Sequence, residues 1–387
     1  MTEKLYYTTK DTSFTATVLS VTPSDGAYDI ILDRTAFFPG KGGMPSDEGI
    51  LDGQAVLDVF LLGDDIVHRV EKAIPTGTVV KGSVNELLRR RRVQNHSGEH
   101  VLSGIAHNLF GAENVGFHAD ENVITADFDV KISDGDIKKL EYLANRAIWE
   151  NHRIYTVFPT PDEENNLNYR SKLDIKSNLR LVIIEGIDAC ACSALHTEST
   201  AEIAIIRILS AFPHRKGTRI IATCGEAAYE DIIKTEECNS RVSALLSAKR
   251  HETDLAVERL LLEEKNLRIS LASKSKSAAD ATVDALAPCE KAIFITDDDA
   301  EVCRYLVKKA LTKASLSAVL SPVSDAKSRF VIASDTINLK TLLSLLKERF
   351  ELRGGGSDRF IQGELSSSAE SVRDFLNALS VQELHKL

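Results

Sequence analysis

"NHSGEHVLSG", Asn95 to Gly104, and "DACACSALHTEST", Asp188 to Thr200, are the stretches on which the reading of this chain turns. The first sets His96 and His100 four residues apart in a helical run, where Ala or Leu would make a better helix. The second sets Cys192 and His196 at the same separation, roughly ninety residues further on. Residues four apart on a helix share one face, with Cβ atoms about 6 Å apart, so two imidazoles there can converge on one ion. Alone, the histidine pair reads equally as surface histidines near a phosphate. Thiolate and neutral imidazole are favoured zinc ligands, however, and the two pairs together supply one cysteine and three histidines. The expectation is a fold that gathers His96, His100, Cys192 and His196 around a single Zn2+. Cys192 is preferred to Cys190 because its pairing with His196 mirrors His96 with His100, and Cys190 is expected to point elsewhere. His107, about three turns from His96, reads as a helix-face residue.

A zinc held by four protein groups is usually structural, whereas catalysis needs an exchangeable position. The neighbours favour chemistry. Glu99 stands beside His100 and is the candidate catalytic residue, Gly98 leaves space, and Ser97, Thr197 and Thr200 offer hydroxyls.

Outward from these stretches the pattern changes several times. Residues 1–84 read as short alternating strands ("FTATVLSV", "YDIILDRTAFF", "TVVKGSV") around the Gly/Pro-rich "FFPGKGGMPSDEG", which predicts a small β-barrel domain. Residues 85–225 read as an α+β domain. One helix carries Val93, Leu102, Ile105 and Leu109 as its apolar stripe and ends at Gly111; a second is capped by Ser133 or Asp134. "ENVITADFDV", "RLVIIEGID", "AEIAIIRIL" and "GTRIIATCG" are its strands. Residues 226–287 hold neither Gly nor Pro and are rich in helix formers, predicting long helices whose leucines form either an intramolecular hairpin or a homodimer seam. Residues 288–387 alternate strands and helices as a compact α/β domain. Its "LRGGGSDRFIQG" reads as a loop in which Gly354, Gly355 and Gly356 let backbone amides approach a phosphate or base.

Composition sets the limits. The chain has 387 residues, 43% of them apolar, enough for two or three domains, and a net charge of −10, which argues against a general nucleic-acid coat. Two local basic runs remain, "RRRR" at Arg89–Arg92 and "HRKGTR" at His214–Arg219, whose plain reading is solvated surface. Six cysteines make no disulfide scaffold. With no apolar leader core at the N-terminus and no apolar run near the ~20 residues that cross a bilayer, the expectation is a soluble cytoplasmic protein with reduced thiols and no membrane partner.

"TAFFPGKGGMPSDEG", "IVHRVE", "HSGEH", "AENVGFH", "CSALH" and "STAEIAIIRI…KGTRI" stand in an order that resembles the editing domain of alanyl-tRNA synthetase, and most closely the freestanding alanyl-tRNA editing proteins. The likeness runs through residues 5–225. The long helices and the "GGGSDRFIQG" segment resemble the C-terminal extension of the family's long members, which ends in a DHH-associated domain. The resemblance implies hydrolysis of the ester joining serine, or glycine, to tRNA(Ala). It puts the family's zinc ligands on His96, His100, Cys192 and His196, and the substrate pocket on Thr35, Met44, Phe117 and His118. The glycine motif, Phe38 to Pro45, is implied to shape the pocket or hold the tRNA end. Expected contacts with tRNA are Gly42, Gly43, Arg89, Arg90, Arg215, Lys216 and Gly354 to Gly356. The chain departs from the family where Cys-x-Gly-Thr-His becomes "CSALH", with Ala194 and Leu195, and where Met44 replaces Gln. These departures favour a second reading, a tRNA-binding or regulatory protein that keeps the zinc fold without hydrolysis. A zinc hydrolase of a small ester or peptide is a third, and it lacks the Glu that follows the first histidine in zinc peptidases.

Overall fold

The computed structural model describes residues 1–7, 10–160, 163, 167–171 and 179–380. The chain divides into two compact units, Met1–Arg241 and Val242–Leu387.

After a two-residue strand at Glu3–Lys4 that pairs with Arg34–Thr35, unit 1 has β1 (Ser13–Ser24), β2 (Ala27–Leu32), the short ribbon β3 (Pro39–Lys41) and β4 (Met44–Ser46), then β5 (Gly49–Leu51), β6 (Gln54–Leu62), β7 (Asp65–Val70) and β8 (Val79–Val84). β8 pairs with both β1 and β5, and the ring runs on through β2, β7 and β6 until it closes. Closure leaves these strands without an open edge. Alternating positions fill the interior: Val18, Ile30, Leu32, Leu51, Val59, Ile66 and Val80 are buried there with Phe37 and Phe38.

Helix α1 (Glu86–Phe110) follows, capped by Asn85, whose side chain accepts from the Leu88 amide, and closed by Gly111 in the left-handed conformation. The predicted stop at Gly111 is where the helix ends. The predicted stripe is only part of its buried surface: Leu102 is buried, and Val93 and Ile105 pack against the cores. Leu109 is exposed, while Arg92 and every residue from Gln94 to Gly104 are buried, because packing encloses the middle of the helix on all sides. β9 (Asn114–Ala119) and β10 (Ile124–Phe128) precede α2 (Asp134–Glu150), which Ser133 rather than Asp134 caps. β11 (Ile154–Val157), β12 (Leu181–Ile184) and β13 (Asp188–Ala191) form one antiparallel sheet; β14 (Ile206–His214) and β15 (Gly217–Cys224) join β9 and β10 in another, in the order β9-β10-β15-β14. The front of "AEIAIIRIL" is a 3-10 turn, Thr200–Ile203, and its strand starts only at Ile206.

The segment read as long helices is two of them, α3 (Gly225–Leu246) and α4 (Thr253–Asp284). Unit 2 then builds a five-stranded sheet from β16 (Cys289–Ile295), β17 (Ala314–Ser324), β18 (Lys327–Ser334), β19 (Leu352–Gly356) and β20 (Phe360–Leu365), in the order β16-β17-β18-β20-β19. α5 (Ala300–Ala310) and the end of α4 cover one face through Leu306, Val307, Ala279 and Val283. α6 (Leu339–Arg349) and α7 (Ala369–Ala378) cover the other through Leu342, Leu346, Val372 and Leu376. The glycine segment read as a loop is the strand β19. A Cβ on Gly354 or Gly356 would fall 2.4 and 2.0 Å from the backbone oxygens of Gln362 and Phe360, so the glycines permit close pairing with β20.

Candidate metal centre

His96 and His100 project from the buried middle of α1; Cys192 leaves the end of β13 and His196 follows one short loop later. One donor atom from each of the four lies within 4.8 Å of every other. His96 Nε2 stands 3.2 Å, and His196 Nε2 3.4 Å, from Cys192 Sγ. Tetrahedral zinc with bonds of about 2.0–2.3 Å sets its ligand atoms about 3.3–3.8 Å apart, so these separations and this donor set fit the ion. The three imidazole centroids are 4.6 to 5.2 Å apart. Both histidines of α1 are buried, while Cys192 and His196 are half-buried. Cys192 packs against the barrel core and the α+β core alike, which sets the cluster where the two cores meet.

Burial alone would raise the Cys192 thiol. The imidazoles of His96 and His196, with hydrogen bonds from His100 and His196, outweigh it and hold the thiol well below its ordinary range, in the thiolate form a metal requires. Burial would likewise lower His100, yet its bonds to Asp188 and Cys192 raise it well above an ordinary imidazole. Cys190 belongs with Asp188 to a second group of donors around His100, so it faces the same imidazole rather than pointing away.

The Cys192 loop is held by groups from three other segments. Arg180 Nη1 donates to the carbonyls of Cys192 (2.7 Å) and Ala194 (3.0 Å), and the Tyr7 hydroxyl donates to the Ser193 carbonyl (2.6 Å). The Arg180 guanidinium also lies over the Tyr7 ring. Ser97 accepts from the Thr197 amide at 3.0 Å, joining α1 to the loop. Ser97 and Thr197 stand inside the two quoted stretches, but Arg180 and Tyr7 stand in no motif. These two are placed only by tertiary pairing, and no signal in the sequence marks them.

The glycine ribbon lies against this assembly. A Cβ on Gly42 would come within 3.5 Å of Ser193 and Ala194, and one on Gly43 would sit 2.4 Å from the Phe117 ring; both glycines have positive φ. Phe117 meets the His96 ring edge-on at 5.2 Å, and the Gly43 carbonyl accepts from the Ala119 amide. Phe117 thus belongs to the cluster, whereas His118 points to solvent. Met44 is buried in the barrel core with Phe37, Phe38, Ala194 and Leu195. Thr35 is fully buried: its hydroxyl accepts from the Phe37 amide and lies 2.8 Å from His68 Nε2. His68 Nδ1 faces the Ile30 carbonyl, which can only accept, and burial pushes His68 down to about 4. The ring is therefore neutral, its Nε2 is an acceptor, and the Thr35 proton is committed to it.

Glu99 is buried. One carboxylate oxygen accepts from Ser103 and Asn114, and the other lies 3.9 Å from His100 Nε2. Gly98 does not open space at the cluster: a Cβ there would fall 2.2 Å from Cys224 Sγ, so the glycine admits β15. The "RRRR" run is not a solvated surface for RNA either. Arg89 pairs with buried Asp47 and the Ala36 carbonyl, Arg91 with Glu226 and Glu230, and Arg92 with Glu48 and Glu121. Only Arg90 is well exposed, and it lies near Glu86 and Glu226. Arg215 and Lys216 do sit exposed, at the tip of the β14–β15 hairpin. No helix among the described residues is long and apolar enough to cross a membrane.

No family model matches the chain. It is similar to alanine–tRNA ligases: 29% identical to that of Natronomonas pharaonis across 97% of this chain and 44% of the relative, and 27% identical to that of Haloquadratum walsbyi across 86% and 38%. The ligase of Pyrococcus furiosus is 32% identical across 65% of this chain and 29% of its own length. The chain thus spans less than half of the relatives it matches.

Proposed function

Because this chain is homologous to alanyl-tRNA synthetases over most of its length and to less than half of theirs, we propose that it removes serine, or glycine, from mischarged tRNA(Ala) by hydrolysing the aminoacyl ester. The observation that carries this reading is the meeting of three segments: the glycine ribbon rests on the Cys192 loop and on Phe117, and Phe117 rests on His96. A four-donor cluster with a backbone-lined wall suits an RNA 3′ end bearing a small amino acid better than a bulky substrate.

The need is physical. A pocket built for alanine cannot sterically reject glycine and rejects serine weakly, so a second site that hydrolyses the wrong product supplies the missing discrimination. His96, His100, Cys192 and His196 would hold Zn2+, which when bound supplies a Lewis-acid centre able to orient the substrate's amine or ribose hydroxyl. With four protein donors, positioning is its favoured role. Glu99, with one oxygen beside His100 Nε2, is the candidate to accept the proton of the attacking water. Gly42 and Gly43 would let the RNA terminus approach the wall closely, and exposed Arg215 and Lys216 would meet backbone phosphates. Gly354 to Gly356 are candidate RNA contacts only as the edge strand β19, through its outer backbone groups. Six free thiols suit a reducing, cytoplasmic setting.

A second reading has an observation of its own. Met44, Ala194 and Leu195 are buried together in one apolar cluster, and Thr35 has committed its proton to His68, so groups available to read a serine hydroxyl are few. A tRNA-binding protein without turnover would share this arrangement. Deacylation of seryl-, glycyl- and alanyl-tRNA(Ala) separates the two. Release of serine with alanine retained is expected; retention of all three with tRNA still bound would support the binding protein instead. His100→Ala and Cys192→Ala should each abolish stoichiometric zinc, read by metal analysis of the purified chain.

A further inference from the structure

The three imidazoles of the cluster are not equally supported. Among the described residues, the buried Nδ1 atoms of His96 and His196 have no hydrogen-bond partner. His100 Nδ1 faces Asp188 Oδ2 at 3.3 Å, and Asp188 is gripped end-on by Arg170, Nε to Oδ1 at 2.8 Å and Nη2 to Oδ2 at 2.7 Å. The Asp188 side chain is 2% exposed and that of Arg170 11%, so the chain of contacts is shielded from water. The sequence makes room for it. Gly104 lies one turn after His100, and a Cβ there would fall 2.7 Å from Asp188 Cβ and 2.9 Å from the Ile187 carbonyl.

We infer that Asp188, held by Arg170, is the positioning residue that presents His100 to the metal through Nε2. The inference rests on the zinc reading above. A carboxylate can only accept here, so Nδ1 keeps its proton and the nitrogen left to give up a proton and offer its lone pair to a metal is Nε2. The same contact fixes the ring plane and makes Nε2 a stronger donor, as carboxylates behind metal-bound histidines generally do. Arg170 holds Asp188 by two parallel bonds, so the carboxylate cannot rotate away to the metal and become a ligand itself. His100 is therefore the anchored ligand, while His96 and His196 are set by packing and by Cys192.

Two measurements test this on the full-length chain. The first is competition for Zn2+ against a chelator of known affinity. Asp188→Asn keeps the shape and loses the charge, and zinc should bind about ten- to a hundredfold more weakly, with a further loss in Asp188→Ala. The second needs no variant: in the zinc-loaded parent, selectively 15N-labelled histidine should show a slowly exchanging proton on His100 Nδ1. Undiminished affinity in both variants, or an unprotonated His100 Nδ1 in the loaded parent, overturns the inference while leaving the metal in place. Failure of the parent to bind zinc at all removes the metal reading and this one together.

Discussion

Helices α1 and α4 reverse what their compositions suggest. α1 is rich in Arg, Asn, His and Glu, yet its middle is enclosed on every side; α4 carries Leu255, Leu260, Leu261, Leu262, Leu267, Ile269 and Leu271 exposed and buries only Ala256, Ala279 and Val283. Burial of α1 is tolerable because its polar groups have partners. Arg89 meets Asp47, Arg92 meets Glu48 and Glu121, Asn95 holds the Asp120 carbonyl and the Cys224 amide, and Glu99 holds Ser103 and Asn114. Polarity alone does not decide where a helix lies. Whether its polar groups are matched does.

That comparison breaks first at the pair Arg89–Asp47, whose side chains are 11% and 1% exposed. Arg89→Ala leaves a buried carboxylate with, among the described residues, the Phe38 amide for support, and should cost about 3–5 kcal/mol in urea unfolding. Arg89→Leu with Asp47→Asn should recover most of that loss. A simple additive penalty in the double variant would mean the pair was never matched. Next comes Gly98. Because its Cβ would overlap Cys224 Sγ, Gly98→Ala should destabilise by about 1–3 kcal/mol. Cys224→Ala in the same chain should relieve most of this, since the sulfur is the atom in the way. A thermal-shift cycle over the four variants reads the coupling.

The same contrast explains what the sequence made legible. The quartet His96, His100, Cys192 and His196 could be proposed because metal donors are chemically rare and their i, i+4 spacing survives in local sequence; the structure brings those four together. Most strands and helices of unit 2 were legible too, because their apolar periods are regular. Arg170, Arg180 and Tyr7 were not, since a residue that grips this strand and loop from another segment needs no fixed spacing, and the part Asp188 plays shows only once Arg170 is beside it. The C-terminal end of α1 was readable from Gly111, but the extent of its buried surface was not, because an apolar stripe is an incomplete guide where polar groups are paired. Met44, Ala194 and Leu195 teach a related point. As departures from the family's pattern they seemed to concern the substrate, yet all three are buried in one barrel core and are matched to each other by packing.

α4 gives the smallest effect on the chain's own stability and the sharpest test of the rule. Its leucines stand exposed among the described residues: Leu260, Leu267 and Leu271 are 52%, 63% and 66% exposed. If polar matching governs burial in α1, an unmatched apolar face on α4 should be covered by something the single chain does not supply, and a second copy of the same helix offers the complementary surface. Leu260→Gln with Leu267→Gln should then change unfolding of the isolated chain by less than about 0.5 kcal/mol, the usual range for exposed positions. In sedimentation velocity at micromolar protein, the parent should run as a dimer and the double variant as a monomer. A parent that is monomeric at all concentrations would show that α4 keeps its leucines in water, and that the long-helix composition of residues 226–287 serves helix propensity rather than a seam.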